Sequence, residues 1–263
     1  MAKIGVFDSG LGGLSILDEA LRQVPSHEYL YLADSANVPY GEKSPQWVAK
    51  RSLDLSLWLA KQNCDAIVIA CNTATAGAIA AIRTALPNIP VIGVEPGIKP
   101  AAMVSARKTV GVLATENTLK SDKFNSLLAT LPYDCLFIAQ AGVGLVPLIE
   151  AGLLDSHRIK FLLDQYITPM IEAGADTLVL GCTHYPFLVP YIKEKFGEQL
   201  NIVDTSAAII RQMRKLIKDP KLTKVAHIQF SSTASGDDLL AKAQLLMSSD
   251  LKGHRLSTQT LEI

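Results

Sequence analysis

Short hydrophobic runs alternate with longer amphipathic stretches along most of the chain. The runs are almost entirely apolar, and they cover 3–9, 29–34, 66–71, 91–95, 110–114, 135–140, 177–182 and 202–205. Between several of them, apolar residues recur at helical spacing, over 13–24, 46–62 and 158–174. Strands that alternate with helices indicate βαβ units, and continuously apolar strands indicate a parallel sheet covered by helices on both faces. The pattern therefore predicts an α/β fold.

The second half of the chain echoes the first. IGVFDSG near the start is echoed by VGVLATE at 110–116, and DAIVIACNTA at 65–74 by DTLVLGCTHY at 176–185. A fainter echo links IPVIGVEPGIKPA at 89–101 with LNIVDTSAAII at 200–210. Because the echoes keep one order, we expect two related doubly wound α/β domains with mostly parallel sheets and an active site between them.

The predicted boundaries follow from these echoes and from a proline-glycine stretch, EPGIKP, at 95–100. The first domain is predicted over 1–96 and the second over 97–206. The remaining residues, 207–263, are too few to form a good core alone, so we expect them to complete the first domain. They begin within an amphipathic stretch at 206–218, and a strand-like run at 225–230 and a helix-like run at 237–249 follow.

Composition excludes several classes of protein. The chain has 263 residues, and 25 Lys and Arg balance 25 Asp and Glu. Since no basic patch occurs, we expect no nucleic-acid partner. No stretch approaches the roughly 20 apolar residues of a membrane span, and the N-terminus lacks a signal-peptide core, so we expect no membrane partner and a cytoplasmic location. The four cysteines form no close pair, which argues against disulfides and structural zinc.

Two of the cysteines stand where hydrophobic runs stop. Cys71 and Cys182 follow such runs, as does Asp8 in VFDSGLGG, and open parallel sheets bind ligands beyond the carboxyl ends of their strands. Thiols that reach one carbon from opposite faces could catalyse racemisation or epimerisation. The GLGG turn at 10–13 lacks the lysine and the spacing of nucleotide-binding loops, so we expect its backbone to approach a carboxylate. Cys64 and Cys135 are interpreted as small buried apolar residues.

The chain resembles the glutamate racemases, cofactor-independent enzymes of the aspartate/glutamate racemase family. The resemblance covers essentially the whole length. It shows small departures, with Gly97 where alanine is expected and Thr75 where serine is common. The motifs that carry it, in the family's order, are FDSGLGGLSIL (7–17), ADSANVPYG (33–41), ACNTATA (70–76), GVEPGIKPA (93–101), GVLATENTLKS (111–121), GCTHYPFL (181–188) and VDTSAA (203–208).

The resemblance implies interconversion of L-glutamate and D-glutamate by two bases, supplying D-glutamate for peptidoglycan. It implies that Cys71 faces the proton of the D-enantiomer and Cys182 that of the L-enantiomer, with Asp8, Glu150 and His184 as supporting groups. It further implies no cofactor and no metal, glutamate as the substrate, and a homodimer. The residues it assigns to binding the substrate are Asp8, Ser9, Tyr40, Gly41, Asn72, Thr73, Thr183 and His184.

Other interpretations of these residues remain open at this point. Asp8 could cap the following helix, His184 could be a packed core histidine, and Glu150 could lie at an exposed helix end. The other histidines are interpreted as surface residues, and these are His27, His157, His227 and His254.

Other functions also remain open. The chain could racemise aspartate or a related acid, although aspartate-specific relatives carry a glutamate where this chain has His184. It could instead be a two-lobed amino-acid-binding protein without catalysis. A thiol-redox protein fits less well, because redox cysteines normally pair locally in sequence.

Overall fold

Two parallel sheets organise the chain, each within its own unit. The computed structural model describes residues 1–131, 134–217 and 225–263. Unit 1 consists of Met1–Val94 and Ser206–Ile263, and unit 2 of Glu95–Thr205. Every strand pairing among the described residues is parallel, which confirms the predicted α/β class.

The first part of unit 1 alternates strands and helices. Its elements are β1 (Lys3–Asp8), α1 (Leu14–Gln23), β2 (Glu28–Ala33), a 3-10 helix (Tyr40–Glu42), α2 (Pro45–Lys61), β3 (Ala66–Ile69), α3 (Asn72–Ala85) and β4 (Val91–Gly93).

Unit 2 follows the same alternation with shorter helices. Its elements are α4 (Ile98–Val104), β5 (Thr109–Ala114), α5 (Glu116–Lys120), α6 (Asp122–Leu128), β6 (Leu136–Ala141), α7 (Leu145–Glu150), α8 (His157–Glu172), β7 (Thr177–Gly181), a 3-10 helix (Tyr185–Leu188), α9 (Val189–Phe196) and β8 (Asn201–Val203).

The C-terminal part returns to the sheet of unit 1. Strand β9 pairs with β2 over six residues of each, and β10 pairs with β9 at the edge of the sheet. The C-terminal part also contacts helix α1, where Asp18 accepts hydrogen bonds from Ser248 Oγ at 2.6 Å and from Ser249 N at 2.8 Å. The elements of this part are α10 (Ser206–Leu216), β9 (His227–Ser232), α11 (Gly236–Leu246), a 3-10 helix (Leu251–Gly253) and β10 (Arg255–Thr260).

The strand orders of the two sheets correspond. The sheet of unit 1 has the order β10-β9-β2-β1-β3-β4, and that of unit 2 has the order β6-β5-β7-β8. The segment β2-β1-β3-β4 therefore has the same order as the whole second sheet. In this correspondence β1 matches β5, β3 matches β7 and β4 matches β8, which are the three pairs that echo each other in the sequence.

The core of each unit lies between its sheet and the helices that cover it. In unit 1, Phe7, Leu32 and Ile67 of the sheet pack with helix residues such as Leu55 and Ile82. In unit 2, Val110, Val112 and Val179 of the sheet pack with Ile98 and Phe124. A Cβ atom at Gly111 would lie 2.6 Å from Met170 Sδ, so glycine there lets α8 pack closely on β5. Among the described residues, no helix is both long enough and apolar enough to cross a membrane.

The predicted strands are all present, and their bounds differ by a residue or two. The helix predicted over 206–218 is observed as α10, and residue 218 lies outside the described residues. Strand β10 was not predicted, because its side chains are mostly polar and mostly exposed at the edge of a sheet. Helix α3 was not predicted either, because its many Ala and Thr residues give little contrast between its faces.

Two interpretations of single residues need correction. His27 is only 1 % exposed: its Nδ1 accepts a 3.4 Å hydrogen bond from Ala2 N, and its ring meets Tyr29 edge-on. The surface interpretation was wrong because the contact with Ala2 comes from 25 residues away and leaves no local pattern. Cys135 is half-buried rather than buried, whereas Cys64 is buried as expected. His157 is exposed, and His227 and His254 are half-buried.

Candidate active site

The carboxyl ends of three strands bring polar side chains together in unit 1. Strand β1 ends at Asp8, which pairs in register with Ala33, the last residue of β2 before Asp34. Phe7 pairs with Ile69, which is the last residue of β3 and lies two positions before Cys71. Asp8, Asp34 and Cys71 therefore share one edge of the sheet, the edge at which parallel sheets bind ligands.

Cys71 is the N-terminal cap of helix α3. Its Sγ accepts a 3.4 Å hydrogen bond from Ala74 N, and the side chain is buried. Asn72 and Thr73 form the first turn of the helix and are also buried, and Asn72 Nδ2 donates to Val94 O at 3.5 Å. Backbone N–H groups at the start of a helix favour negative charge, so this position stabilises a thiolate.

Asp8 organises the glycine-rich turn that follows β1. Its Oδ1 accepts a 2.8 Å hydrogen bond from Gly10 N. In the described part of the chain, α1 begins after Gly13 without a side-chain cap, so capping of α1 does not account for Asp8. A Cβ atom at Gly13 would lie 2.8 Å from Asp8 Cβ and 2.9 Å from Ala70 Cβ. Glycine is therefore required there for the backbone to pass close to Asp8. Ser9 is buried in the same turn.

A buried ion pair holds Tyr40, which begins the 3-10 helix that includes Gly41. The Tyr40 hydroxyl donates to Asp34 Oδ2 at 2.6 Å, and Arg51 of α2 donates to both carboxylate oxygens, at 2.9 and 2.7 Å. Burial, followed by the negative charge of Asp34 and its hydrogen bond and by the charge of Cys71, raises the pKa of Tyr40, so the phenol stays protonated. Sequence reasoning missed Asp34 and Arg51. The available signal was that Asp34 directly follows a hydrophobic run, as Asp8 does.

In unit 2, the corresponding edge carries the second thiol. Cys182 follows Gly181, the last residue of β7, and Cys182 O accepts a 3.1 Å hydrogen bond from Tyr185 N. This turn begins the 3-10 helix Tyr185–Leu188 and buries Cys182, Thr183 and His184. Cys182 thus occupies the position in unit 2 that Cys71 occupies in unit 1, since each follows the strand next to the first strand of its unit.

Three side chains of unit 2 form a relay. His184 Nδ1 lies 3.7 Å from Cys182 Sγ, and His184 Nε2 lies 2.5 Å from Glu150 Oε1 at the end of α7. Burial by itself lowers the pKa of His184, but the hydrogen bonds to Cys182 and Glu150 and the charges of these two groups outweigh burial and raise it well above its ordinary value. The imidazolium can donate to the sulfur and to the carboxylate at once. Among the described residues, no group of three or more His, Cys, Asp or Glu side chains is arranged to hold a metal ion.

Comparisons with known proteins identify the family to which the chain belongs. The profile of the family described as Asp/Glu/Hydantoin racemase matches residues 6–213. The glutamate racemase of Cupriavidus pinatubonensis is 59% identical over 218 residues, which are 82% of this chain and 80% of that protein.

Solved structures resemble the whole fold. The glutamate racemase isoform RacE1 from Bacillus anthracis matches with a TM-score of 0.87 and 30% identity, covering 100% of this chain and 98% of that one. The Escherichia coli glutamate racemase, solved with L-glutamate and the activator UDP-MurNAc-ala, matches with a TM-score of 0.81 and 30% identity over 99% of each chain. The chain therefore belongs to the Asp/Glu/Hydantoin racemase family, and within that family it groups with the glutamate racemases.

Proposed function

We propose that this chain interconverts L-glutamate and D-glutamate without a cofactor, with Cys71 and Cys182 as the two acid/base groups. One observation carries the proposal: each thiol follows an equivalent strand and lies beside a group that stabilises a thiolate. For Cys71 this group is the N-terminus of α3, and for Cys182 it is His184. The name of the Cupriavidus relative and the L-glutamate in the Escherichia coli structure support glutamate as the substrate.

The chemistry requires one thiolate and one thiol. Starting from D-glutamate, the Cys71 thiolate takes the Cα proton, and the electron pair of the broken C–H bond delocalises into the α-carboxylate. Cys182 then gives its S–H proton to the opposite face of Cα, which completes L-glutamate and leaves Cys182 as the thiolate. The reverse reaction starts from that state. The protonated His184 stabilises the Cys182 thiolate, Glu150 holds the imidazolium, and Asp8 assists Cys71.

The two carboxylates of glutamate need hydrogen-bond donors, and its ammonium group needs acceptors. Backbone amides and hydroxyls that follow strand ends suit carboxylates. Because Tyr40 donates its hydroxyl to Asp34, we infer that Tyr40 and Gly41 contribute through their backbone. The residues proposed to bind the substrate are Asp8, Ser9, Tyr40, Gly41, Asn72, Thr73, Thr183 and His184.

The product defines the proposed role in the cell. D-glutamate is a component of peptidoglycan, so we propose that the chain supplies this precursor in the cytoplasm. A homodimer is also proposed, on the family resemblance alone.

Racemisation in deuterated water tests the function. With L-glutamate as the only added small molecule, D-glutamate should form with deuterium at Cα, while the remaining L-glutamate stays protiated at early times. Alanine at Cys71 or at Cys182 should lower the rate of racemisation by about 10²–10⁴-fold or more, because each thiol is a required acid or base. Alanine at Cys64 is the matched control, because this buried thiol of unit 1 packs against Gly5 and burial raises its pKa to about 11.

Several outcomes would contradict the proposal. Equal early labelling of both enantiomers would indicate a single base. Turnover of aspartate but not glutamate would favour the related racemase, and binding of glutamate without turnover would favour an amino-acid-binding protein.

A further inference from the structure

Tyr185 lies next to the relay of unit 2 but takes no part in it. The side chain is fully buried, and its hydroxyl donates to Gly142 O at 3.2 Å. Burial, together with the charges of Cys182 and Tyr166, raises the pKa of Tyr185. The phenol therefore stays protonated and acts as a hydrogen-bond donor rather than as an acid or base.

The partner of Tyr185 begins the segment that carries Glu150. Gly142 directly follows β6, and its N–H donates to Ala114 O of β5 at 2.9 Å. Gly144 adopts a left-handed conformation, with φ of 82°, and caps the start of α7. Glu150 is the last residue of that helix. The segment 142–150 thus runs from the Tyr185 contact to the Glu150 side chain.

The two ends of this segment contact two consecutive residues. Gly142 accepts the hydrogen bond from Tyr185, and Glu150 meets His184, the residue directly before it. These two contacts close a ring, because the segment 142–150, which includes α7, begins at the Tyr185 contact and ends at the His184 contact. Because α7 has only six residues, we expect a shift at Gly142 to displace Glu150 as well.

The contact between Tyr185 and Gly142 is tight. A Cβ atom at Gly142 would overlap the Tyr185 hydroxyl and lie 2.8 Å from Cζ of the ring. Glycine at 142 therefore lets the phenol reach the carbonyl oxygen. A second phenol, that of Tyr166 in α8, donates to the neighbouring Val143 O at 2.8 Å. The start of the segment is thus held from two sides.

We propose that Tyr185 is a positioning residue, which fixes the segment 142–150 and thereby holds Glu150 against His184. The proposal rests on the proposed racemase function, in which His184 assists Cys182. Loss of the Tyr185 hydroxyl lets the Glu150 carboxylate move away from the imidazole. The help that His184 gives to Cys182 then weakens, whereas Cys71 is unaffected.

The direct test is Tyr185→Phe, measured with L- and D-glutamate carrying deuterium at Cα. The kcat from L-glutamate should fall by about threefold to tenfold, the size expected for one hydrogen bond. Removal of the L-proton by Cys182 becomes more rate-limiting, so the isotope effect should rise with deuterated L-glutamate and fall with deuterated D-glutamate. A purely structural loss would lower the active fraction and leave both isotope effects unchanged.

Two variants keep the test specific. Tyr29→Phe is the matched control, because Tyr29 is a fully buried tyrosine of unit 1 whose hydroxyl donates to Val24 O at 2.7 Å. It should leave both isotope effects as in the wild type. Gly142→Ala keeps the Tyr185 hydroxyl but displaces it, and should change the isotope effects in the same direction as Tyr185→Phe. Gly142→Ala therefore replaces Tyr185→Phe as the test variant if Tyr185→Phe folds poorly.

A double-mutant cycle with Glu150→Gln decides whether Tyr185 acts through Glu150. If it does, Tyr185→Phe should have no further effect on the isotope effects once Glu150 is replaced. Additive effects would overturn the proposal, as would unchanged isotope effects in both Tyr185→Phe and Gly142→Ala. A wild-type protein that does not racemise glutamate would instead refute the proposed function, and this is measured first.

Discussion

His184 holds a proton between two groups that carry negative charge when ionised. Its Nε2 lies against Glu150, its Nδ1 faces the sulfur of Cys182, and both contacts favour the imidazolium over the neutral ring. In the proposed mechanism, the protonated His184 stabilises the Cys182 thiolate that deprotonates L-glutamate. Cys71 has a different source of stabilisation, the N-terminus of α3. The two thiols therefore depend on different neighbours.

This difference predicts an asymmetric effect of His184→Asn. Asparagine keeps hydrogen bonding but not the charge. The kcat from L-glutamate should therefore fall by about 10²–10⁴-fold, and the kcat from D-glutamate should fall less. Because the enantiomers have equal free energy, kcat/KM must stay equal in the two directions, so the KM for L-glutamate should fall relative to the KM for D-glutamate. Steady-state kinetics from each enantiomer measures this. His157→Asn, at an exposed position of the same unit, is the control, and full kcat in both directions would leave His184 with a packing role only.

The sequence indicated some of the candidate site residues better than others. Cys71 and Cys182 could be singled out because a thiol at the end of an apolar strand is placed by the local pattern itself. The contact of Glu150 with His184 joins residues 34 apart, and no periodicity in the sequence places a helix end against a loop. Asp34 carries the same local signal as Asp8, but its partner Arg51 lies in the following helix, 17 residues away.

Helix α2 is fixed to the end of β2 by one buried ion pair. Arg51 reaches from α2 to Asp34, whose carboxylate also accepts from Tyr40, from Asn37 at 3.0 Å and from Thr233 at 2.9 Å. Thr233 follows β9, so the same carboxylate joins the N-terminal and C-terminal parts of unit 1. Removing one partner of a buried ion pair leaves an uncompensated charge in the interior.

We therefore expect Arg51→Met to lower the free energy of unfolding by about 3–5 kcal/mol at neutral pH. Lys50→Met, at the neighbouring position, removes an exposed pair with Asp54 and should cost only about 0.3–0.5 kcal/mol. Urea unfolding of both variants measures the difference. Equal losses in the two variants would show that the buried pair contributes no more than the exposed one.

The loss in the free energy of unfolding caused by Arg51→Met should also depend on pH. Burial by itself raises the pKa of Asp34, but hydrogen bonds from Arg51, Tyr40 and Asn37 and the charge of Arg51 outweigh it and lower the pKa below its ordinary 3.8. The stabilisation is therefore present above pH 3.8 and is lost as the pH falls through the folded-state pKa. The difference in the free energy of unfolding between wild type and Arg51→Met should become smaller in that acidic range. If this difference stays constant with pH, the charge of the Asp34 carboxylate is not its cause.

The elements themselves were predictable where burial shapes the sequence. Strands covered on both faces, such as β3 with the residues AIVI, are apolar throughout and stand out from their surroundings. Strand β10 with the residues RLSTQT has no such signal, because only pairing with β9 makes it a strand. The order of strands in a sheet follows from long-range packing, although the internal echoes indicated two related domains.

The two units differ in how the chain builds them. Unit 2 is continuous in sequence, from Glu95 to Thr205, and its four strands all lie within that range. Unit 1 is assembled from two segments, 1–94 and 206–263. The later segment supplies β9, which covers the edge of β2, and α10, which packs against α1. Without it, β2 would expose an unpaired edge and α1 an uncovered face.

Fragments of the chain should reflect this difference. A fragment of residues 95–205 should fold cooperatively, because all four strands of its sheet are present. A fragment of residues 1–94 should not, because it lacks the six-residue pairing of β2 with β9, the Asp18 contacts to Ser248 and Ser249, and the cover of α10. Addition of the 206–263 segment to 1–94 should restore protection of the β2 amides. Hydrogen exchange of the three samples measures this, and strong protection in 1–94 alone would show that its own four strands suffice as a core.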